Sequence, residues 1–116
     1  MEILKLLCLE IKPSAMRVRI KCIDIDVGDA FQKYLSDKLY KIGLKYNLKQ
    51  DADVILKLVK DENDRNKLIE IRIALPGPDI FVKAQEEGFD LALKKALYAL
   101  NRQLKRIRRS ILDIRQ

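Results

Sequence analysis

Histidine is absent from this sequence, and so is tryptophan. Without histidine the commonest general base is missing, together with the Ser–His and Cys–His systems that activate nucleophiles. Cysteine occurs twice, at Cys8 and Cys22. Two thiols with no histidine beside them fall short of the four ligands of a structural zinc site, so neither a metal nor a cofactor is expected. A disulfide between them is formally possible, but in a core-rich chain without a signal peptide two reduced thiols are the expectation. The glycine patterns that cradle phosphates, G-x-x-x-x-G-K-[ST] and G-x-G-x-x-G, do not occur. These absences argue against an enzyme and against a small-molecule substrate. Glycine (4) and proline (3) are scarce, which argues against low complexity and disorder.

What is present is apolar residues and positive charge. The 116 residues are 48% hydrophobic, enough for one core and one domain, and carry a net charge of +7. That excess points to nucleic acid or another acidic surface and says nothing about sequence specificity. It is also local. Residues 94 to 109 hold seven positive charges and no negative one, whereas residues 51 to 64 hold five negative charges.

The strongest periodic signal runs from Phe89 to Ile114. At 3.6 residues per turn Phe89, Leu93, Ala96, Leu97, Leu100, Leu104, Ile107, Ile111 and Ile114 share one face of a long amphipathic helix. Opposite that stripe lie Lys94, Lys95, Arg102, Lys105, Arg106, Arg108 and Arg109, and from Leu91 to Leu112 there is no acidic residue. Helix faces that need only solubility usually mix signs and gain from Glu–Lys pairs four apart. A single-sign band repels itself, and a polyanion relieves that repulsion. The plain alternative is a solvated face that is basic by chance.

Along the chain, Met1 to Ala15 is apolar but broken by Glu2, Lys5, Glu10 and Lys12. Its longest apolar run, Leu6 to Leu9, is too short for a membrane span or a signal-peptide core. Three readings stay open for residues 1–15: a short extra element packed on the domain, a flexible tail, or a stretch upstream of a true start at Met16. Arg17 to Asp26 reads as a strand in which Val18, Ile20 and Cys22 alternate with Arg17, Arg19 and Lys21. The phase slips after Cys22, which predicts a bulge or the end of the ladder. Val27-Gly28-Asp29 opens a helix carrying Phe31, Leu35, Leu39, Ile42 and Tyr46 on one face, with Tyr34 flanking. Lys38 falls inside that apolar arc, where a lysine either snorkels to solvent or marks the border with a second helix. Lys33, Lys41, Lys45 and Lys49 add charge, and Asn47 is a plausible terminator.

Ala52 to Lys60, Lys67 to Leu75 and Ile80 to Gln85 alternate as three further strands, joined by Asp61–Asn66 and by Pro76-Gly77-Pro78-Asp79. Glu86 and Glu87 then lead into the long helix, whose N-terminus suits acids. The order β-α-β-β-β-α predicts an α+β domain: a four-stranded sheet whose last three strands form an antiparallel meander, with both helices on one face.

With LPGPDIFVKA (Leu75 to Ala84) ahead of a long basic helix and DKLYKI (Asp37 to Ile42) in the first helix, the chain resembles the ribosome hibernation promoting factors. That family includes the ribosome-associated inhibitor sometimes called protein Y. The likeness covers Met16 to about Ser110. It implies a fold similar to double-stranded-RNA-binding domains and binding to the small ribosomal subunit, on 16S rRNA in the decoding channel. There the protein would occlude mRNA and the A- and P-site tRNAs in stress or stationary phase, in the cytoplasm. It implies no membrane partner. Lys38 and Lys41 match the basic positions of the family's D-K-L-x-K-L, and Arg102-Gln103-Leu104 matches its R-Q-L, followed by basic Lys105 and Arg106. Lys94, Lys95, Arg108 and Arg109 extend the band by position. The Asp-Lys pair common one turn before R-Q-L is replaced by Tyr98 and Ala99.

The expected organisation is an N-terminal extension, 1–15, and a ribosome-binding domain, 16–116. The chain ends at Gln116 without the linker and dimerisation domain of long members, so it resembles a short form. The rival reading is a generic structured-RNA-binding module with a target other than the ribosome. A module for an anionic membrane or protein partner would need the apolar stripe exposed, whereas three strands are available to cover it.

Overall fold

The computed structural model describes residues 16–75, 77 and 79–115, with side chains as far as Arg108. The extension 1–15, Pro76, Pro78 and the side chains of Arg109, Ile111 and Ile114 lie outside the described residues. Strand β1 spans Val18–Ile23, helix α1 Asp29–Lys45, β2 Ala52–Leu58, β3 Lys67–Ile73, β4 Ile80–Glu86 and helix α2 Phe89–Arg115. The domain is α+β. The strands lie in the order β1-β2-β3-β4, with β1 parallel to β2 and the other pairs antiparallel.

Strand periodicity decides what each face carries. Three rows of four cross the sheet on its inner face: Val18–Ala52–Ile73–Ile80, Ile20–Val54–Ile71–Val82 and Cys22–Leu56–Ile69–Ala84. All but the three edge residues of β1 are buried. Leu35, Leu39 and Ile42 of α1 and Ala92, Leu93, Ala96, Leu100 and Leu104 of α2 close over these rows in one cluster. Both helices therefore cover the same face, as the pattern predicts. The outer face has mixed sign. Arg19 bonds Asp53, its partner across the β1–β2 ladder, at 2.7 Å, and Arg17 reaches Asp51 at 3.4 Å. Leu68 departs from the alternation, buried on the outer face.

The slip in β1 is the end of the ladder and not a bulge: the strand stops at Ile23, and Asp24 turns the chain with a φ of 59°. Gly28 caps α1, and the Gln32 side chain donates to the Val27 carbonyl at 2.8 Å to hold the entry. At the far end Asn47 takes the left-handed conformation, φ 55°, while the Leu48 N–H donates to the Gly43 carbonyl at 2.8 Å. Gly43 itself is buried in the last turn of α1 because Met16 crosses there; a Cβ would sit 3.3 Å from the Met16 side chain.

In the β2–β3 turn, Asp61 Oδ2 accepts from the backbone N–H groups of Asn63 and Arg65, both at 3.0 Å. The carboxylate thus replaces backbone partners in a turn where Asp64 takes a φ of 62°. Asp61→Ala should cost about 1–2 kcal/mol in urea unfolding; an unchanged midpoint would mean these bonds contribute nothing.

Candidate nucleic-acid interface

The two helices run side by side in the same direction. Near their starts the Phe31 and Phe89 rings meet at 6.0 Å between centroids. Toward the end of α1 the Tyr46 hydroxyl lies 3.3 Å from Asn101 Oδ1. Between these two contacts lies an open groove of about 610 Å³, walled by Tyr34 and Lys38 from α1 and by Asp90, Leu93, Lys94 and Leu97 from α2. It continues along α1 past Lys33, Asp37 and Lys41. The lysine anomalous in the sequence therefore lies at the border of the two helices, exposed, with its Nζ 5.3 Å from the centre of the Tyr34 ring.

Around α2 the basic residues separate into two flanks. Asn101 faces α1, and at 100° per residue Lys94, Lys105 and Arg108 share its side. Of these three, Lys94 lines the groove with Lys38, and Lys105 and Arg108 continue the same side of α2 beyond it. At the same 100° per residue Lys95, Arg102 and Arg106 share the other flank. There Lys95 closes an ion pair with Glu86, which is only 8% exposed. Glu86 ends β4 and continues its inward-facing positions; it is not the helix-capping acid that its place before the helix predicts. Burying that carboxylate requires a partner, and Lys95 provides it. Lys95 therefore has a structural partner that the single band opposite the stripe does not show. Arg102 stands over the Tyr98 ring at 5.9 Å from its centroid. Lys38, Lys41, Lys94, Lys105, Arg102 and Arg108 are exposed, and no carboxylate pairs with them among the described residues. The Arg109 side chain lies outside the described residues.

In the sequence Tyr34 reads as a flank of the apolar stripe and Tyr98 as a replaced position. Tyr34 is half exposed, at 48%, and Tyr98 more so, at 67%. The available signal was spacing: each tyrosine precedes a cation by four residues, Tyr34 before Lys38 and Tyr98 before Arg102, which places the pair on one helix face.

This constellation has no nucleophile–base pair, and no cluster of metal-ligating side chains forms among the described residues. No helix among them is long and apolar enough to cross a membrane. What the surface offers is cations and aromatic rings on a rigid helix pair. The same β-α-β-β-β-α architecture occurs in a ribosomal subunit interface protein from Coxiella burnetii (TM-score 0.71, 18% identity over 80% of this chain and 98% of that one). It occurs also in the N-terminal domain of Thermus thermophilus Protein Y (TM-score 0.61, 24% identity over 77% of this chain and 98% of that one). These two likenesses define the class of fold. Residues 18–111 match the family of sigma 54 modulation protein / S30EA ribosomal protein, and the chain belongs to that family of non-enzymatic, ribosome-associated proteins. No curated relative matches it by sequence.

Proposed function

We propose that residues 16–116 form a module that binds the small ribosomal subunit on 16S rRNA in the decoding channel. Bound there it occludes mRNA and the A- and P-site tRNAs, and holds cytoplasmic ribosomes inactive in stress or stationary phase. The observation that carries this reading is that Lys38 and Lys94 line one groove along the helix seam, which Lys41 continues on α1, and that no carboxylate forms an ion pair with any of the three among the described residues. The mechanism is occlusion without chemistry. Cations along the seam and on α2 displace counterions from phosphates and so supply affinity. A-form RNA is read mainly by backbone and shape, which suits a rigid pair of helices better than a set of base-reading loops.

Co-sedimentation with isolated small subunits across a salt series tests this directly. With about five to seven phosphate contacts, log K should fall against log salt with a slope on the order of −4 to −6. Excess initiator tRNA with mRNA should displace the protein. Binding that ignores tRNA and mRNA would move the site away from the decoding channel. Absence of binding to the subunit would leave a structured RNA other than the ribosome as the target.

A further inference from the structure

Phosphate binding does not account for everything in the helix seam. A surface built only to neutralise phosphates needs cations and gains nothing from an exposed ring, an apolar floor or a carboxylate. The groove between α1 and α2 has all three: the Tyr34 ring, Leu93 with Leu97, and Asp90, which line it together with Lys38 and Lys94. Asp90 in particular would repel a phosphate seated in the groove. Tyr34 lies on the partly exposed border of α1, its ring beside the Lys38 ammonium.

We propose that this groove takes one unstacked nucleobase from a single-stranded RNA segment. This rests on the reading of the chain as an RNA-binding protein and adds the form of RNA it prefers. The base lies against the Tyr34 ring and over Leu93 and Leu97. Its two flanking phosphates meet Lys38 and Lys94. Asp90 accepts a hydrogen bond from an exocyclic amino group on the base edge, a role open to adenine, guanine and cytosine and closed to uracil. Each part matches a known preference: splayed bases stack on aromatic side chains, the stacking tolerates sequence, and cations nearby track the backbone. The groove volume, about 610 Å³, is in the range of sites that enclose small ligands. Tyr98 is a built-in comparison. It has the same spacing to a cation and greater exposure, but it does not line this groove.

The test uses a short single-stranded RNA with one 2-aminopurine among pyrimidines, whose fluorescence falls when the base stacks. Wild-type protein should quench it on binding. Tyr34→Phe keeps the ring and should bind like the parent. Tyr34→Leu should lose the quenching and bind roughly ten- to hundred-fold more weakly. Its salt slope should not change, because no phosphate contact is removed. Tyr98→Leu should keep the quenching. Asp90→Asn should reduce the preference for amino-bearing bases over uracil. The inference is overturned if Tyr34→Leu quenches and binds as the parent does, if Tyr34→Phe falls as far as Tyr34→Leu, or if a duplex of the same sequence is bound equally well and is equally sensitive to Tyr34→Leu. Failure of the parent to bind either this RNA or small subunits would remove the RNA-binding reading and the stacking site with it. Salt-dependent binding of the parent to subunits with no effect of Tyr34→Leu would remove the stacking site alone. Thermal melting of each variant, expected within a few degrees of the parent since Tyr34 is half exposed, separates loss of contact from loss of fold.

Discussion

Lys94→Glu with Lys105→Glu should weaken binding to isolated small subunits on the order of a hundred- to a thousand-fold at moderate salt, and should flatten the salt slope by about 2. Both side chains are exposed, and neither has a carboxylate partner among the described residues. Reversal therefore removes two attractions to phosphate and adds two repulsions without breaking a contact within the fold. The melting temperature should stay near that of the parent. Lys95→Glu is the instructive contrast, because it would place a second carboxylate against buried Glu86. Weaker binding in that variant would come with lower stability, as expected when a buried charge loses its partner. If the Lys94→Glu, Lys105→Glu protein still sediments with subunits as the parent does, the flank of α2 that faces α1 is not the contact surface.

Leu100→Ala should have the largest effect on stability. Leu100 is completely buried at the middle of α2, part of the cluster that joins that helix to the sheet. Truncation removes transfer energy and leaves a cavity that neighbouring side chains fill only in part. The expected cost is about 3 kcal/mol, or a fall in melting temperature of roughly 10–20 °C for a domain of this size. Leu44→Ala is the matching control, since Leu44 is 63% exposed on α1 and should change stability by less than about 0.5 kcal/mol. RNA binding by Leu100→Ala, measured well below its melting point, should survive, because no cation moves out of the seam. Equal melting temperatures for the two variants would contradict the packing of α2 on the sheet.

Much of this architecture can be read from periodicity. The strand alternation locates the inner rows, and the 3.6-residue stripe locates α2 to within a residue of its end, because one buried face leaves a strict pattern. The anomaly of Lys38 inside an apolar arc is legible too, but the pattern leaves open whether it snorkels to solvent or marks the border of the helices, and the position of α2 decides for the border. Other features depend on contacts that no local pattern reports. Glu86 looks like a capping acid by its position before a helix, and only the continuation of β4 by one residue turns it inward toward Lys95. A helical wheel shows one basic band, but it does not know where α1 lies, and that neighbour divides the band into a flank along the seam and a flank away from it. Tyr34 is hidden for a related reason. A tyrosine beside an apolar stripe has the composition of a core residue, and its exposure depends on how far apart the helices stand. Likewise, nothing local to β1 states that it lies parallel to β2 at the sheet edge.

The sheet order has a consequence for how the molecule forms. Every strand lies beside the strand that precedes or follows it in the chain. The β2–β3–β4 meander and α2 can thus assemble by short loop closures, each adding one neighbour to an existing edge. The parallel pairing of β1 is the exception, because α1 and its connections must be spanned before the first ladder bond repays the entropy of closure. On loop-closure entropy alone, the docking of β1 and α1, the half of the molecule that brings Lys38 and Lys41 to the seam, should be the last step. Stopped-flow refolding of a β1 core variant such as Ile20→Ala would check this by a change in unfolding rate and little in folding rate. A full-length chain refolding from denaturant would hold its long basic helix in place before that surface is complete.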